Sequence, residues 1–141
     1  MPPQLELRVV TPEGQAFRGP AESVVLPGLE GDFGVLPGHE VFLSALRIGP
    51  MTIQPPSGDA LHAVVSGGFA EVHDDQVSVM VASCEFAHEI DRSRAEIARE
   101  RALKQLEELR GTAEGEAVYQ QYQDAYSRAI ARVAISDRFK T

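Results

Sequence analysis

Turn-forming residues interrupt the first 88 residues at intervals of roughly eight to twelve positions, and that spacing admits only short strands. Leu5 to Val10 alternates apolar and polar residues and runs into Thr11-Pro12-Glu13-Gly14, the signature of a strand entering a hairpin. Gln15–Arg18 reads as the return strand, stopped by Gly19-Pro20, and a strand through Val24, Val25 and Leu26 is closed by Pro27-Gly28. Further strands are expected at Val41–Leu46, Met51–Ile53, Ala60–Val65, Phe69–His73 and Val77–Val81. Pro55–Asp59, Gly67-Gly68 and Asp74-Asp75-Gln76 supply the turns or a bulge between them. Such a series predicts an all-β sandwich or barrel.

The densest punctuation lies in Pro27–His39, where Gly28, Gly31, Gly34 and Gly38 alternate with Pro27 and Pro37. Leu29, Phe33, Val35 and Leu36 sit between them as residues expected to be buried. The segment reads as tight turns joining short strands, with Asp32-Phe33-Gly34 at one apex.

After residue 88 the period changes from two to three-and-four. Asp91 can cap a helix whose inner face carries Ala95, Ala98, Ala102, Leu106 and Leu109, with Glu100 and Lys104 spaced as an i,i+4 pair. Gly111–Gly115 breaks that helix. A second one is expected from Glu116 to Ser136, with Val118, Tyr122, Ala125, Ala129, Ile130 and Val133 inside. The expectation is therefore an α+β chain, a β-sandwich over 1–88 followed by an antiparallel two-helix hairpin over 89–141. Each buried CH2 contributes only about 0.8 kcal/mol, so an alanine-rich seam holds such a hairpin weakly.

Charge follows the same division. Of the formal −8, all resides in 1–88, where Arg8, Arg18 and Arg47 face a large excess of carboxylates; 89–141 is densely charged but balanced. An acidic body has no attraction for nucleic-acid phosphates. The single Cys84 excludes an internal disulfide, and no apolar run is long enough to span a bilayer, so membrane association is expected only through a partner.

Three ordered blocks carry a family resemblance. Glu30–His39 (EGDFGVLPGH), Val65–Val72 (VSGGFAEV) and Ile90–Ala95 (IDRSRA) resemble, in order and over almost the whole chain, the hallmarks of the epsilon subunit of bacterial F-type ATP synthases. The resemblance implies a non-catalytic subunit of the central stalk, peripheral on the cytoplasmic side of the cell inner membrane. Its sandwich would seat on the gamma subunit and the membrane c-ring, with exposed turns such as Glu30–Phe33 as contacts. Its helices would open along gamma and set basic residues (here Arg110, Arg128, Arg132, Arg138 and Lys140) against the alpha/beta catalytic head, inhibiting ATP hydrolysis. The resemblance requires no cofactor but points to ATP as a regulatory ligand. Glu85, Ile90, Asp91, Arg94, Ala95, Arg101, Arg128 and Arg132 match in type and spacing the ATP-binding residues of some members.

The residues themselves leave alternatives open. Arg94 and Arg101 lie two turns apart on one helix face, and forked guanidinium donors suit a triphosphate. Asp91 is equally well placed as an N-cap, and the arginines as solvated or carboxylate-paired groups. Cys84 lacks a His at motif spacing, Ser66 is not in a G-x-S-x-G elbow, and His39, His62, His73 and His88 are scattered without metal-motif companions. His39 reads as a turn residue bonded to nearby backbone. No GxxxxGK[ST] loop is present. The competing readings are a free-standing nucleotide sensor and a structural adaptor working without a rotary complex.

Overall fold

The computed structural model describes residues 3–110 and 115–139. Ten strands form one continuous sheet: β1 (Leu5–Thr11), β2 (Gly14–Ala21), β3 (Ser23–Gly28), β4 (Gly31–Val35), β5 (Phe42–Leu46), β6 (Gly49–Gln54), β7 (Leu61–Val65), β8 (Gly68–His73), β9 (Gln76–Val81) and β10 (Cys84–Phe86). A 3-10 turn at Ala87–Glu89 leads to α1 (Arg92–Leu109) and α2 (Glu116–Phe139). The strand order is β10-β7-β6-β3-β5-β8-β9-β1-β2, with β4 added on β3. All pairings are antiparallel except β1 with β9.

The sheet folds over itself around Leu5, Leu7, Val9, Val24, Leu26, Met51, Ile53, Val65, Val72, Val77 and Val79, each essentially inaccessible. The alternation in β1, β8 and β9 puts one face of each strand into this core. Phe17 on β2 and Phe86 on β10 bring the two ends of the sheet to a ring separation of 6.4 Å, so the sandwich is nearly a closed barrel.

Several details differ from the sequence reading. β2 runs through Gly19-Pro20 to Ala21; it ends the strand order, and a proline that cannot donate is tolerated on an outer edge. Asp32-Phe33-Gly34 is not an apex but the body of β4, and the turn is Leu29-Glu30. Val35 is buried and Phe33 partly so, but Leu29 is 66% exposed and Leu36 62%, because both occupy turns outside the sheet. Gly68 of the second glycine block is dictated by packing: a Cβ there would stand 2.0 Å from the Met80 carbonyl oxygen on β9.

Asp91 caps α1, its carboxylate accepting from the Arg94 amide at 3.1 Å. The seam between the helices buries Ala95 and Ala102 of α1 against Ala129, Val133 and Ser136 of α2. Ile130 is 41% exposed rather than inside, since it lies about a quarter-turn off that line. α2 continues one turn past Ser136, to Phe139. On α1 the ion pairs join Glu96 to Arg92 and Arg99; Glu100 and Lys104 do not pair. The break expected at Gly111–Gly115 lies outside the described residues except for Gly115, just before α2, and Lys140 lies outside them too.

The helices also have a second buried face that the sequence reading missed. Ala131, Ile135 and Phe139 recur every four residues on α2 and pack on Val64, Ala87 and Ile90. The hairpin is thereby laid on the outer surface of β6 and β7. Phe139 stacks on His62 of β7 with ring centroids 3.5 Å apart and planes within 8°, and the Arg138 guanidinium sits 5.2 Å from the Phe139 centroid.

Candidate functional site

Where β10, the start of α1 and the last third of α2 meet, the chain forms an open cleft of about 300 Å3. Glu85 reaches it from β10, Ile90 and Asp91 from the link into α1, Arg94 and Ala95 from the first turns of α1, and Arg132 from α2. Glu89 and Ala98 complete the lining. Six of the eight residues singled out from sequence are thus brought together. Arg101 and Arg128 are not in the cleft: Arg101 is two turns further along α1, and Arg128 one turn before Arg132 on α2.

The local causes are simple. Ile90 is 2% exposed, anchored in the small cluster under α2, and it fixes the chain just before the Asp91 cap. With Asp91 bonded to the Arg94 amide, its carboxylate faces the helix N-terminus, where the orphan donors and the dipole favour negative charge. Arg132 donates from Nε to Glu85 Oε1 at 2.7 Å, and its Nη2 contacts the same oxygen. That bond ties α2 to the sandwich.

The arginines fall into two groups. Arg92 is held by Asp137 and Glu96, Nη2 reaching Asp137 Oδ2 at 3.3 Å, which clips the start of α1 to the end of α2. Hydrogen bonding to Asp137 drives the Arg92 pKa further up, and the same bond lowers that of Asp137. Arg94, Arg101 and Arg128, by contrast, make no ion pair among the described residues. Helical spacing sets them on the same side of the hairpin as Arg132, away from the Arg92–Asp137 clip. The cleft thus holds carboxylate-bound Arg132 and unpaired Arg94 beside the helix N-terminus, with unpaired Arg101 and Arg128 further along the two helices.

Charge and shape elsewhere are different. On the outer face of the sandwich, Ala45, Phe69, Met80 and Val10 stand in register across β5, β8, β9 and β1. Leu43, two residues along β5 from Ala45, extends this apolar stripe. Phe69 is 41% exposed and Leu43 66%. His39 is a turn residue, its Nδ1 bonded to the Glu40 carbonyl at 2.8 Å. Cys84 is half-buried, and burial, with Glu89 and Glu85 nearby, pushes its thiol up to about 11. Among the described residues no His, Cys, Asp and Glu side chains cluster as a metal site would require.

Residues 4–87 match the family described as ATP synthase, Delta/Epsilon chain, beta-sandwich domain. An ATP synthase epsilon chain of Syntrophobacter fumaroxidans is 40% identical over 139 residues, covering 98% of this chain and 99% of the relative. The chain belongs to the ATP synthase epsilon chain family. An epsilon chain of Nitratidesulfovibrio vulgaris is also 40% identical, over 96% of this chain and 97% of its own length. Among solved structures, a chain in the Euglena gracilis mitochondrial ATP synthase OSCP/F1/c-ring assembly superposes with a TM-score of 0.79 at 26% identity, over 95% of this chain and 82% of that one. A chain of the Tetrahymena thermophila ATP synthase central stalk and c-ring shares the fold, with a TM-score of 0.64 at 15% identity over 94% of this chain and 96% of its own. For an epsilon chain, the signals that sequence reasoning lacked are the long-range ones. Arg92 and Asp137 are 45 residues apart, and nothing in either neighbourhood pairs them.

Proposed function

We propose that this chain is a non-catalytic rotor subunit of a proton-translocating ATP synthase, seated on gamma and the c-ring through its sandwich, with a hairpin that restrains ATP hydrolysis by the alpha/beta head. Family membership supports the complex. The apolar stripe through Leu43, Phe69 and Met80 supports a covered sandwich face, because contiguous exposed apolar surface marks a docking site. The chain would sit on the cytoplasmic side of the inner membrane, attached through its partners; no described helix is long and apolar enough to cross a bilayer.

The regulatory ligand is ATP, and the observation that carries this is the unpaired Arg94 in the Asp91-capped cleft, continued along the two helices by unpaired Arg101 and Arg128. A cleft of about 300 Å3 is at the small end of ligand sites, so it takes one part of the nucleotide. The phosphates would extend along Arg94, Arg101 and Arg128, with Arg132 released from Glu85. A ligand spanning both helices stabilises the closed hairpin by RT ln(1+[L]/Kd).

Calorimetry with ATP on the intact chain and on Arg94→Ala tests the ligand; equal heats in both refute it. Removing residues 89–141 from the assembled enzyme tests the restraint, since unchanged ATPase activity would refute it.

A further inference from the structure

We infer that Arg47 is the positioning residue for the β3–β4 tip, the turn at Leu29-Glu30, and that it sets the direction in which this tip meets the membrane ring; the inference rests on the ring contact proposed above. The tip cannot be oriented by packing, since Leu29 is 66% exposed and Glu30 is exposed as well. Its backbone is held instead. Arg47 follows β5, and its amide donates to the Pro27 carbonyl at 2.9 Å. Its Nη1 donates to the Gly28 carbonyl at 2.7 Å, on the limb entering the turn. Its Nη2 donates to Asp32 Oδ1 at 2.6 Å, on the limb leaving it. One planar guanidinium therefore spans both limbs, a geometry that a lysine ammonium does not reproduce.

The two limbs are already at closest approach. A Cβ on Gly28 would lie 2.6 Å from the Gly31 carbonyl oxygen, and Gly31 has φ +142°, a conformation other residues rarely adopt. The Leu29 amide donates to the Ala45 carbonyl at 3.1 Å, so the turn hangs from β5 at one further point. The ion pair itself is 38% and 49% exposed, where Coulomb attraction contributes little to stability. Its effect is on direction: without the fork, the limbs keep their ladder but the tip loses the brace between Gly28 and Asp32.

The experiment uses the full chain, added back to inverted membrane vesicles whose ATP synthase has been depleted of it, with ATP-driven proton uptake as the readout. Hydrogen exchange and thermal melting are measured on the same proteins. Arg47→Ala is expected to speed exchange of amides 29–33 about tenfold, to leave β8, β9 and the melting temperature unchanged, and to raise the concentration needed to restore coupling about tenfold. Arg47→Lys should fall between. The double variant Leu29→Ala/Glu30→Gln should raise that concentration while amides 29–33 exchange as in the parent.

If the tip variant fails to couple while Arg47→Ala couples normally, the positioning role is wrong and the ring contact stands. If both couple normally, the ring contact falls and the role falls with it. A lowered melting temperature in Arg47→Ala with exchange raised throughout the sandwich would make Arg47 a general support and overturn the inference.

Discussion

Phe139→Ala should release the end of the hairpin from the sandwich. The ring stacks on His62 at 3.5 Å and lies beside the small cluster of Val64, Ala87, Ile90 and Ile135. Half-burial of a phenylalanine contributes about 1 kcal/mol, and a well-stacked ring pair adds about 0.5–1.5 kcal/mol. Their sum, about 2 kcal/mol, corresponds to roughly a thirtyfold shift towards the undocked form. Acidification should act at the same point. Burial, and then the charge of Arg138, lower the His62 pKa below its ordinary 6.5. The charged group facing the ring is Arg138 from α2; β6 offers the Thr52 hydroxyl at 3.3 Å, and Glu85 on β10 is held by Arg132. The undocked imidazole therefore takes up a proton first. Docking is at full strength above pH 6.5 and weakens as pH falls through that value towards the lowered one. Hydrogen exchange of amides 132–139 between pH 5 and 8 reads both effects, after correction for the intrinsic rate. His62→Phe should keep the stack and lose the pH dependence. Unchanged protection in Phe139→Ala, or an undiminished pH slope in His62→Phe, would refute the reasoning.

Two further outcomes follow from local geometry. Gly68→Ala should lower stability in urea by about 3 kcal/mol, because β8 and β9 must part to relieve the 2.0 Å approach to Met80, whereas Gly34→Ala, with no atom within 4 Å, should be nearly neutral. Cys84, with its thiol pushed up to about 11 from 9.0, should alkylate about a hundredfold more slowly at pH 8 than an unperturbed thiol, and Glu85→Gln should speed it.

The parts of the fold legible in the sequence were those set by local chemistry. Period-two runs with turn residues at their ends located eight strands, and the Asp91 cap located α1. What failed depended on neighbours distant in sequence. Pro20 stops a strand only when both sides of it need donors, and β2 has one free edge. Leu29 and Leu36 look like core residues until the sheet leaves them at its turns. Ile130 belongs by spacing to a seam that is narrower than the apolar stripe. The Ala131-Ile135-Phe139 face was visible as an i,i+4,i+8 series, but no sequence signal marked the sandwich as its partner. In the site, the helix residues came together because one cap fixes the register of Asp91, Arg94 and Ala95. Arg101 and Arg128 stayed outside because the cleft is one turn deep and helical spacing carries them past it.

The hairpin is held by contacts of different kinds, and their sizes bound what a nucleotide can do. The alanine seam is shallow, the Arg92–Asp137 clip is exposed, and the Phe139 stack, beside buried Ile135, is a large apolar contact in the last described turn of α2. Reversing a hairpin from 99% open to 99% closed takes about 5.5 kcal/mol, whereas a ligand at a hundred times its Kd supplies about 2.7 kcal/mol. ATP can therefore govern closure only if the two forms are already within a few kcal/mol. The Phe139 stack, at about 2 kcal/mol, is of that same size. So ATP at a hundred times its Kd should restore to Phe139→Ala the protection that the stack supplied, and should fail to do so once Arg94 is also alanine. Restoration without Arg94 would place the ligand elsewhere; none in either protein would mean that closure does not depend on the nucleotide.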